Sequence, residues 1–468
     1  MSAPMVTNIA IKLMGSIIRP NLLFKPCKLC QSIRKASGST RRHEARERRK
    51  KEVIQLKSEK GTPAERVYVW GHAAAGALGV RSYLRPERSS QSPVKIQHRP
   101  ARLRFMDEND IQVYNVACGY GFTLFAAKRR RRHMVLATGI NTDSQLGYHE
   151  FPKNTGRVLD YIIEPVPVEI PGISQDNHRS VLQVSAGRAH SVFLTEAGVF
   201  SQGNNAYGQC GRPSVEGESF HKVFNIQRVE GLPDNVSKVV CGQDHTLFLT
   251  KDGKVYSCGL GADGQLGLQS FESVGIPQQV KGDIEGVNIV DIASRTDCVL
   301  AVSNTGDVFG WGNSEYSQLA MVTTETQVNV PKYLPFKDCG KTKKVGAGGS
   351  VCILLNESGH VHVWGYGVLG KGPNVTLLKT PSLLPPPLFG CNELNPYVNV
   401  KDISCGMSHF GAITSVGDLY TWGKGKYGCL GIHKTEVQYF PLKVAMPALT
   451  HTVECGVDHT VALCRSFA

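Results

Sequence analysis

A Trp-Gly step recurs along this chain and organises most of its length. Four copies are intact and three keep only the glycine; in chain order they are Trp70-Gly71, Thr138-Gly139, Gln202-Gly203, Cys258-Gly259, Trp311-Gly312, Trp364-Gly365 and Trp422-Gly423. An internal period of this kind indicates an array of one supersecondary unit. Because such arrays bind partners over extended surfaces, the repeat favours a binding function over a single buried reaction centre.

The segment from Val239 to Gly267 shows what one unit contains. His245 to Thr250 is rich in apolar and β-branched residues, Asp252-Gly253 is a hairpin signal, and Val255 to Cys258 is a second short apolar run. Short strands separated by glycine turns, with no helical period, predict antiparallel sheet.

A second step, a small residue followed by glycine, precedes the strand in each unit. It occurs at Cys118-Gly119, Ala186-Gly187, Cys241-Gly242, Ala347-Gly348, Cys405-Gly406 and Cys455-Gly456, and Ser294-Arg295 takes the place of one copy. Successive steps lie 50 to 68 positions apart, which is enough chain for four short strands and their turns. Four strands are the content of one propeller blade.

The two ends of the repeat region complete each other. The first regular strand, Arg66 to Trp70, is the second half of a repeat, and the segment from Val453 to Thr460 is a first half. Pairing of the N- and C-terminal strands would complete one blade and leave no exposed sheet edge. The sequence therefore predicts an all-β fold, a closed seven-bladed β-propeller over residues 61–468.

The combination of Cys-Gly-x-x-His-Thr with Trp-Gly and Gly-x-Leu-Gly resembles the regulator of chromosome condensation repeat. The resemblance extends over residues 61–468. It implies a propeller that works through its faces and loops, without covalent chemistry, a cofactor or a metal. The nuclear founder of the family is a guanine-nucleotide exchange factor for a Ran-like small GTPase, and the same activity is one alternative for this chain.

The positive charge of the chain is concentrated at its N-terminus. The first 60 residues hold 15 Lys and Arg against four Glu, so they carry 11 of the 14 net positive charges, and the first 43 contain no Asp or Glu. This pattern is typical of a mitochondrial transit peptide, expected at residues 1–40. Residues 41–60 are expected to form a flexible, basic helical arm. Arg41-Arg42 with Arg48 to Lys51 leave a nuclear localisation signal as the alternative.

Asp244 and His245 are the candidates for nucleotide exchange. The resemblance implies that the turn from Cys241 to His245 presents an acidic residue, and an exposed Asp244 carboxylate would compete for the basic side chain or the magnesium of a GTPase. The alternatives are an aspartate that caps a turn and a structural histidine, because other repeats place Phe122 or Val351 at the position of His245. Arg188 replaces the acidic neighbour of the preceding turn, which argues against a Ran-like target.

Arg129, Arg130, Arg131 and Arg132 stand where other repeats have a glycine turn. Phe122 and Gly139 are 17 positions apart, whereas His245 and Gly259 are 14 apart, so we expect the turn to gain three residues and to form an exposed basic tip. Lys343 and Lys344 belong to a second, weaker basic stretch. Contact with RNA phosphates is one interpretation, and a solvated loop is the other.

Two further motifs favour structural interpretations. The run from Gly365 to Gly372 imitates a phosphate-binding loop, but Gly372 follows Lys371 where the magnesium-binding hydroxyl would stand, so we expect a blade loop. The cysteines recur at equivalent small positions of different repeats, which favours packing rather than a disulfide scaffold or a zinc site.

The mitochondrial member of the family implies two roles for this chain. One is ribosome biogenesis in the matrix, within a protein–RNA module that contains ribosome-assembly proteins, including pseudouridine synthases, and supports the large-subunit (16S) rRNA and mitochondrial translation. The other is guanine-nucleotide exchange on the dynamin-like GTPase of inner-membrane fusion. An adaptor without either activity is the third reading. Peripheral contact with the inner membrane is compatible with the basic arm, and no transmembrane span is expected.

Overall fold

A computed structural model describes residues 64–85, 92–151, 155–171, 173, 180–221 and 224–467 of the chain. The expected transit peptide and basic arm lie outside the described residues. Within the described part, no helix is long and apolar enough to cross a membrane.

The described chain forms seven four-stranded antiparallel sheets, which confirms the predicted propeller. Blade 7 joins both ends of the chain and contains β1 (Glu65–His72), β2 (Ile96–Arg102), β27 (Leu449–Cys455) and β28 (His459–Arg465). Blades 1 to 3 are β3 (Gln112–Cys118), β4 (Phe122–Arg129), β5 (Arg132–Ile140), β6 (Tyr161–Val168); β7 (Val181–Ala186), β8 (His190–Thr195), β9 (Gly198–Gly203), β10 (Gln227–Arg228); β11 (Val236–Cys241), β12 (His245–Thr250), β13 (Val255–Gly259), β14 (Val274–Gln279). Blades 4 to 6 are β15 (Ile289–Ser294), β16 (Cys298–Ser303), β17 (Val308–Asn313), β18 (Gln327–Leu334); β19 (Thr342–Ala347), β20 (Val351–Asn356), β21 (Val361–Tyr366), β22 (Leu377–Leu383); β23 (Val400–Cys405), β24 (His409–Thr414), β25 (Leu419–Lys424), β26 (Val437–Lys443).

Short helical segments occupy some of the connections. They are α1 (Arg81–Leu84), α2 (Arg104–Glu108) and the two 3-10 turns Pro386–Phe389 and Lys426–Gly428. The second strand of a blade is buried along its length, as in β12 and β16, because neighbouring blades cover both of its faces. Fourth strands such as β26 are mostly exposed at the outer edge.

The Trp-Gly step ties each blade to the one before it. The four tryptophans are fully buried, and the indole N–H groups of Trp70, Trp311 and Trp364 donate to loop carbonyls of the preceding blade at 2.8 to 3.0 Å. The following glycine is required because a Cβ at Gly312 would lie 2.1 Å from the Asp297 carbonyl oxygen, and its φ is +91°. In the repeated pair, the tryptophan therefore contacts the preceding blade, and the glycine allows a close backbone approach within its own blade.

Blade 7 closes the ring through both ends of the chain. β1 pairs with β28 in an unbroken antiparallel register from Glu65 opposite Arg465 to Gly71 opposite His459. Side chains reinforce this ladder at each end: Glu65 contacts the Arg465 Nε at 3.0 Å, and the His72 Nδ1 lies 3.0 Å from an Asp458 carboxylate oxygen. The predicted closure is confirmed.

Connections alternate between two faces of the ring because successive strands run in opposite directions. The turn face carries the connections from first to second and from third to fourth strands, such as those after β11 and β13. The hairpin face carries the connections from second to third strands, such as the Asp252-Gly253 turn, and the links between blades. β1 begins, and β28 ends, at the hairpin face.

Arg295 crosses the central axis of the propeller. It replaces the glycine of the other repeats, and its side chain extends from blade 4 towards the opposite blades. The guanidinium donates to the Cys118 carbonyl of blade 1 at 2.8 Å and to the Cys405 carbonyl of blade 6 at 3.4 Å, and it pairs with Glu454 of blade 7. This departure from the repeat has a structural explanation, because the Arg295 side chain links blade 4 to blades 1, 6 and 7. We call this side chain the internal strut.

Removing this strut should destabilise the ring. We expect Arg295→Met to lower the free energy of unfolding by about 3 kcal/mol, because it leaves the Glu454 carboxylate without its cation. Arg295→Met combined with Glu454→Gln should recover part of that loss. Denaturant unfolding of the three proteins measures the effect, and equal stability of the single and double variants would contradict the proposed pairing.

Candidate partner-binding faces

The four arginines lie at the tip of the β4–β5 hairpin on the hairpin face. Arg129 pairs with Arg132 across the ladder, so Arg130 and Arg131 form a two-residue turn. The predicted exposure of this segment is confirmed, but the extra residues lengthen the two strands instead of widening the turn. The spacing between repeat positions predicted three inserted residues, but it could not show where in the hairpin they lie.

The hairpin turn carries local backbone strain. Arg130 has a φ of +58°, a region in which side chains other than glycine are uncommon. The hairpins of blades 3 to 6 place Gly253, Gly306, Gly359 and Gly417 in their turns, all with positive φ. An arginine at such a position therefore sacrifices local stability for an exposed charge.

The base of the hairpin is fixed to the next blade. The Tyr114 hydroxyl donates to the Val181 carbonyl of β7 at 2.6 Å and lies 3.0 Å from the His133 Nδ1. These contacts hold the lengthened strands, so the charged tip projects from a positioned support.

Lys343 and Lys344 lie on the first strand of blade 5. They differ in whether the charged group is available to a binding partner. Lys343 is exposed, and its Nζ lies 3.4 Å from the Lys401 carbonyl oxygen. The Lys344 Nζ pairs with an Asp402 carboxylate oxygen at 2.6 Å. Burial alone would lower the pKa of Lys344, but the Asp402 charge outweighs burial and raises it. The expectation that Lys344 offers a free charge to RNA is therefore wrong, because that charge is used between blades 5 and 6.

Asp244 lies on the turn face but is not exposed. Its side chain is 4% exposed, and Arg188 of blade 2 holds both carboxylate oxygens, at 3.1 Å from Nε and 2.8 Å from a terminal nitrogen. Burial raises the pKa of Asp244, and the Arg188 charge offsets part of that rise. The expected exposed carboxylate is wrong; the residue that replaces the acidic neighbour neutralises Asp244 instead.

His245 is buried between blades and cannot contact a partner directly. Its Nε2 lies 3.2 Å from the Ser294 hydroxyl, and burial lowers its pKa to about 3. His190 and His409 make the same type of contact, to Thr246 at 3.0 Å and to Thr460 at 2.9 Å. The structure therefore agrees with the packing interpretation of the histidines and not with an exchange role for His245.

A second carboxylate, that of Asp297, lies near Asp244 on the turn face. Asp297 of blade 4 accepts a hydrogen bond from the Gln265 side chain at 3.1 Å. Burial, followed by the nearby charges of Asp263 and Asp244, raises the pKa of Asp297 to about 6. On the turn face, the Asp244 carboxylate is therefore neutralised by Arg188, and the Asp297 carboxylate is costly to ionise.

Neither clustered metal ligands nor the buried thiols suggest a reaction centre in the described part of the chain. No group of three or more His, Cys, Asp or Glu side chains there is placed to hold a metal ion. Burial raises the pKa of thiols such as Cys241 and Cys455 to about 12, which keeps them protonated and unreactive.

Comparison with known proteins supplies a family context for this geometry. Residues 225–467 match the model of the RCC1-like domain, and residues 196–249 match the regulator of chromosome condensation (RCC1) repeat. The chain is 50% identical over 422 residues to a mouse protein named RCC1-like G exchanging factor-like protein, covering 89% of this chain and 90% of the relative. The human protein of the same name is 49% identical over the same proportions.

Solved structures agree with the fold. The crystal structure of human WBSCR16 superposes with a TM-score of 0.80 at 48% identity, covering 86% of this chain and all of that one. Yeast RCC1 (Prp20), solved in a complex with Kap60, has a TM-score of 0.69 at 19% identity over 87% of this chain and 90% of its own. The yeast protein supports the fold alone.

The raised pKa of Asp297 predicts how stability depends on pH. A folded-state pKa above the unfolded value of about 3.9 means that protonation favours the folded state, so this residue contributes stability as pH falls from about 7 towards 4. We expect Asp297→Asn to be about 1–2 kcal/mol more stable than the parent at pH 7.5 and to equal it near pH 4. Urea unfolding across this range tests the prediction, and an unchanged difference at both pH values would contradict it.

Proposed function

Because the chain belongs to the regulator of chromosome condensation repeat family, we propose that it is a mitochondrial propeller scaffold that binds RNA through its hairpin face. It would support biogenesis of the large ribosomal subunit as part of a protein–RNA module. The observation that carries this proposal is the projecting β4–β5 hairpin, which exposes four adjacent arginines at its tip.

Charge and geometry both favour an anionic polymer as the ligand of this hairpin. Four adjacent arginines repel one another in the free protein, and phosphates relieve that repulsion while releasing counterions. Guanidinium groups also bind phosphate oxygens in bidentate fashion. The Tyr114 contacts at the base of the hairpin reduce the conformational entropy that binding must overcome.

The family resemblance also suggests where the protein acts and which partners it binds. An acid-free, basic N-terminal segment supports import into the mitochondrial matrix. The proposed partners there are the 16S rRNA and ribosome-assembly proteins, including pseudouridine synthases. The basic segment is also compatible with peripheral contact at the inner membrane.

Replacing Arg129, Arg130, Arg131 and Arg132 together by serine should weaken RNA binding about tenfold. The salt dependence should also become shallower, by about 0.7 in logarithmic slope for each lost phosphate contact on a single strand. Electrophoretic or anisotropy titrations with labelled large-subunit rRNA fragments at several salt concentrations measure both quantities.

A matched control uses the hairpin of blade 3 on the same face. Lys251→Ser with Lys254→Ser removes two positive charges from that turn and should leave the slope nearly unchanged. If the control weakens binding as much as the arginine variant does, general surface charge rather than the β4–β5 hairpin binds the RNA.

Guanine-nucleotide exchange on a dynamin-like fusion GTPase is the second candidate, favoured by the name of the relatives that match nearly the whole chain. The Arg188–Asp244 pair supplies a route. Arg188 is about half exposed, so an incoming GTPase could draw it away and leave the Asp244 carboxylate to attract the basic side chain that binds phosphate.

On this second proposal, Asp244→Asn should slow release of labelled GDP from the purified GTPase about tenfold, because an amide cannot attract that basic side chain. Arg188→Ala should accelerate release by removing the internal competitor. Asp263→Asn, a neighbouring carboxylate on the turn face, serves as the control. Unchanged release rates in both test variants would exclude the Asp244 mechanism.

A further inference from the structure

Blade 5 departs from the repeat on the turn face. Seven positions separate Gly312 from Leu319 in blade 4, but only four separate Gly365 from Leu369, so the loop between β21 and β22 is short. This is the segment that imitates a phosphate-binding loop. In the propeller it connects β21 to β22 on the turn face with three fewer residues than the corresponding loop of blade 4.

The short loop coincides with the loss of one inter-blade hydrogen bond, that of a buried indole. In the other blades, the residue at the Trp-Gly position donates to the loop of the preceding blade: Thr138 to Gly76, Gln202 to Gln145, Cys258 to Gln209, and Trp70, Trp311 and Trp364 as described. The Trp422 Nε1 of blade 6 is fully buried, and it has no hydrogen-bond partner among the described residues. An unsatisfied buried donor is costly, so folding alone does not explain the short loop.

Small residues lie next to this short loop. Gly349 takes the place held by Arg188, Gln243 or Met407 in other blades, and Ser350 follows it. Gly367 lies beside them, because a Cβ there would be 3.6 Å from the Ser350 Oγ. We call the region formed by Gly349, Ser350 and Gly367, with the side chains around it, the blade 5 notch.

Apolar side chains surround the blade 5 notch and remain exposed. Tyr316 and Tyr366 stack with ring centroids 6.0 Å apart and an interplanar angle of 14°, and they are 41% and 49% exposed. On the other side, the Met407 carbonyl accepts the Gly349 N–H at 2.9 Å, and the Met407 side chain is 36% exposed. Tyrosine and methionine are enriched in protein interfaces.

Charge identifies the kind of partner that fits. Glu315 precedes Tyr316 in the chain and is exposed. A carboxylate at this position repels the phosphates of a nucleic acid. It attracts a guanidinium or ammonium group, which an aromatic face also binds. The surroundings therefore favour a basic protein side chain over a nucleotide base.

We propose that the blade 5 notch docks a loop of a protein partner and receives an arginine or lysine side chain over the Tyr316–Tyr366 pair. This inference goes beyond both candidate functions, because it requires neither RNA nor a GTPase. It assigns a protein-binding role to the turn face, whereas the arginine hairpin lies on the opposite face.

Fluorescence anisotropy with labelled peptides tests the proposal on the folded protein. The probes are an alternating Arg-Ala nonapeptide, its Gln-Ala counterpart and an oligouridylate of similar length. We expect the arginine peptide to bind at least tenfold more tightly than the glutamine peptide. Tyr316→Ala with Tyr366→Ala should weaken it about tenfold, and Glu315→Gln should weaken it severalfold. Tyr316→Phe with Tyr366→Phe should retain binding, because the ring faces and not the hydroxyl groups make the contact.

Matched controls make the outcome decisive. Tyr333→Ala with Tyr439→Ala removes two similarly exposed tyrosines from the outer strands β18 and β26 and should leave peptide affinity unchanged. Thermal melting confirms that each variant is folded. Equal losses in the test and control pairs, or no loss in the test pair, would overturn the proposal. So would oligouridylate binding that depends on Tyr316 and Tyr366, since it would assign the notch to RNA.

Discussion

Pairing of β1 with β28 is the constraint on which the remaining contacts depend. A four-stranded blade has two apolar faces, and it can bury both only if a neighbour stands on each side. In this ring, blade 7 is the neighbour that covers one face of blade 6 and one face of blade 1. Blade 7 exists only because the two ends of the chain build it together. The Glu65–Arg465 and His72–Asp458 contacts hold both ends of that seam, so the terminal strands secure surfaces far from them in sequence.

Once the ring is closed, polar side chains fix each blade against the next. The first strands of the blades contribute a second set of inter-blade contacts, separate from those of the tryptophans. Gln183 of blade 2 bonds both the N–H and the carbonyl of Val239 in blade 3, and Lys344 of blade 5 pairs with Asp402 of blade 6. These inter-blade hydrogen bonds and ion pairs disfavour other blade orientations, because a shifted register would leave several of them unpaired.

The sequence predicted the features that repeat and missed those that arise between repeats. The number of blades, the closure and the exposed arginine hairpin were predictable, since each is encoded within one unit or at the chain ends. The burial of Asp244 was not predictable, because Arg188 lies 56 positions away and its contact exists only when blades 2 and 3 stack. Arg295 looked like a degenerate glycine for the same reason: its partners lie across the axis, in blades that the local pattern does not identify.

The departures from the repeat fall into two physical classes, and the difference indicates where partners bind. Arg295 breaks the glycine rule but satisfies every charge it brings, so the fold explains it fully. The β4–β5 turn and the blade 5 notch each carry a local cost: a strained φ at Arg130, and a buried indole N–H at Trp422 that has no hydrogen-bond partner among the described residues. Such costs persist when they serve something outside the fold. Because these two sites lie on opposite faces, the proposed RNA and the proposed protein partner would bind without bringing their charges into conflict.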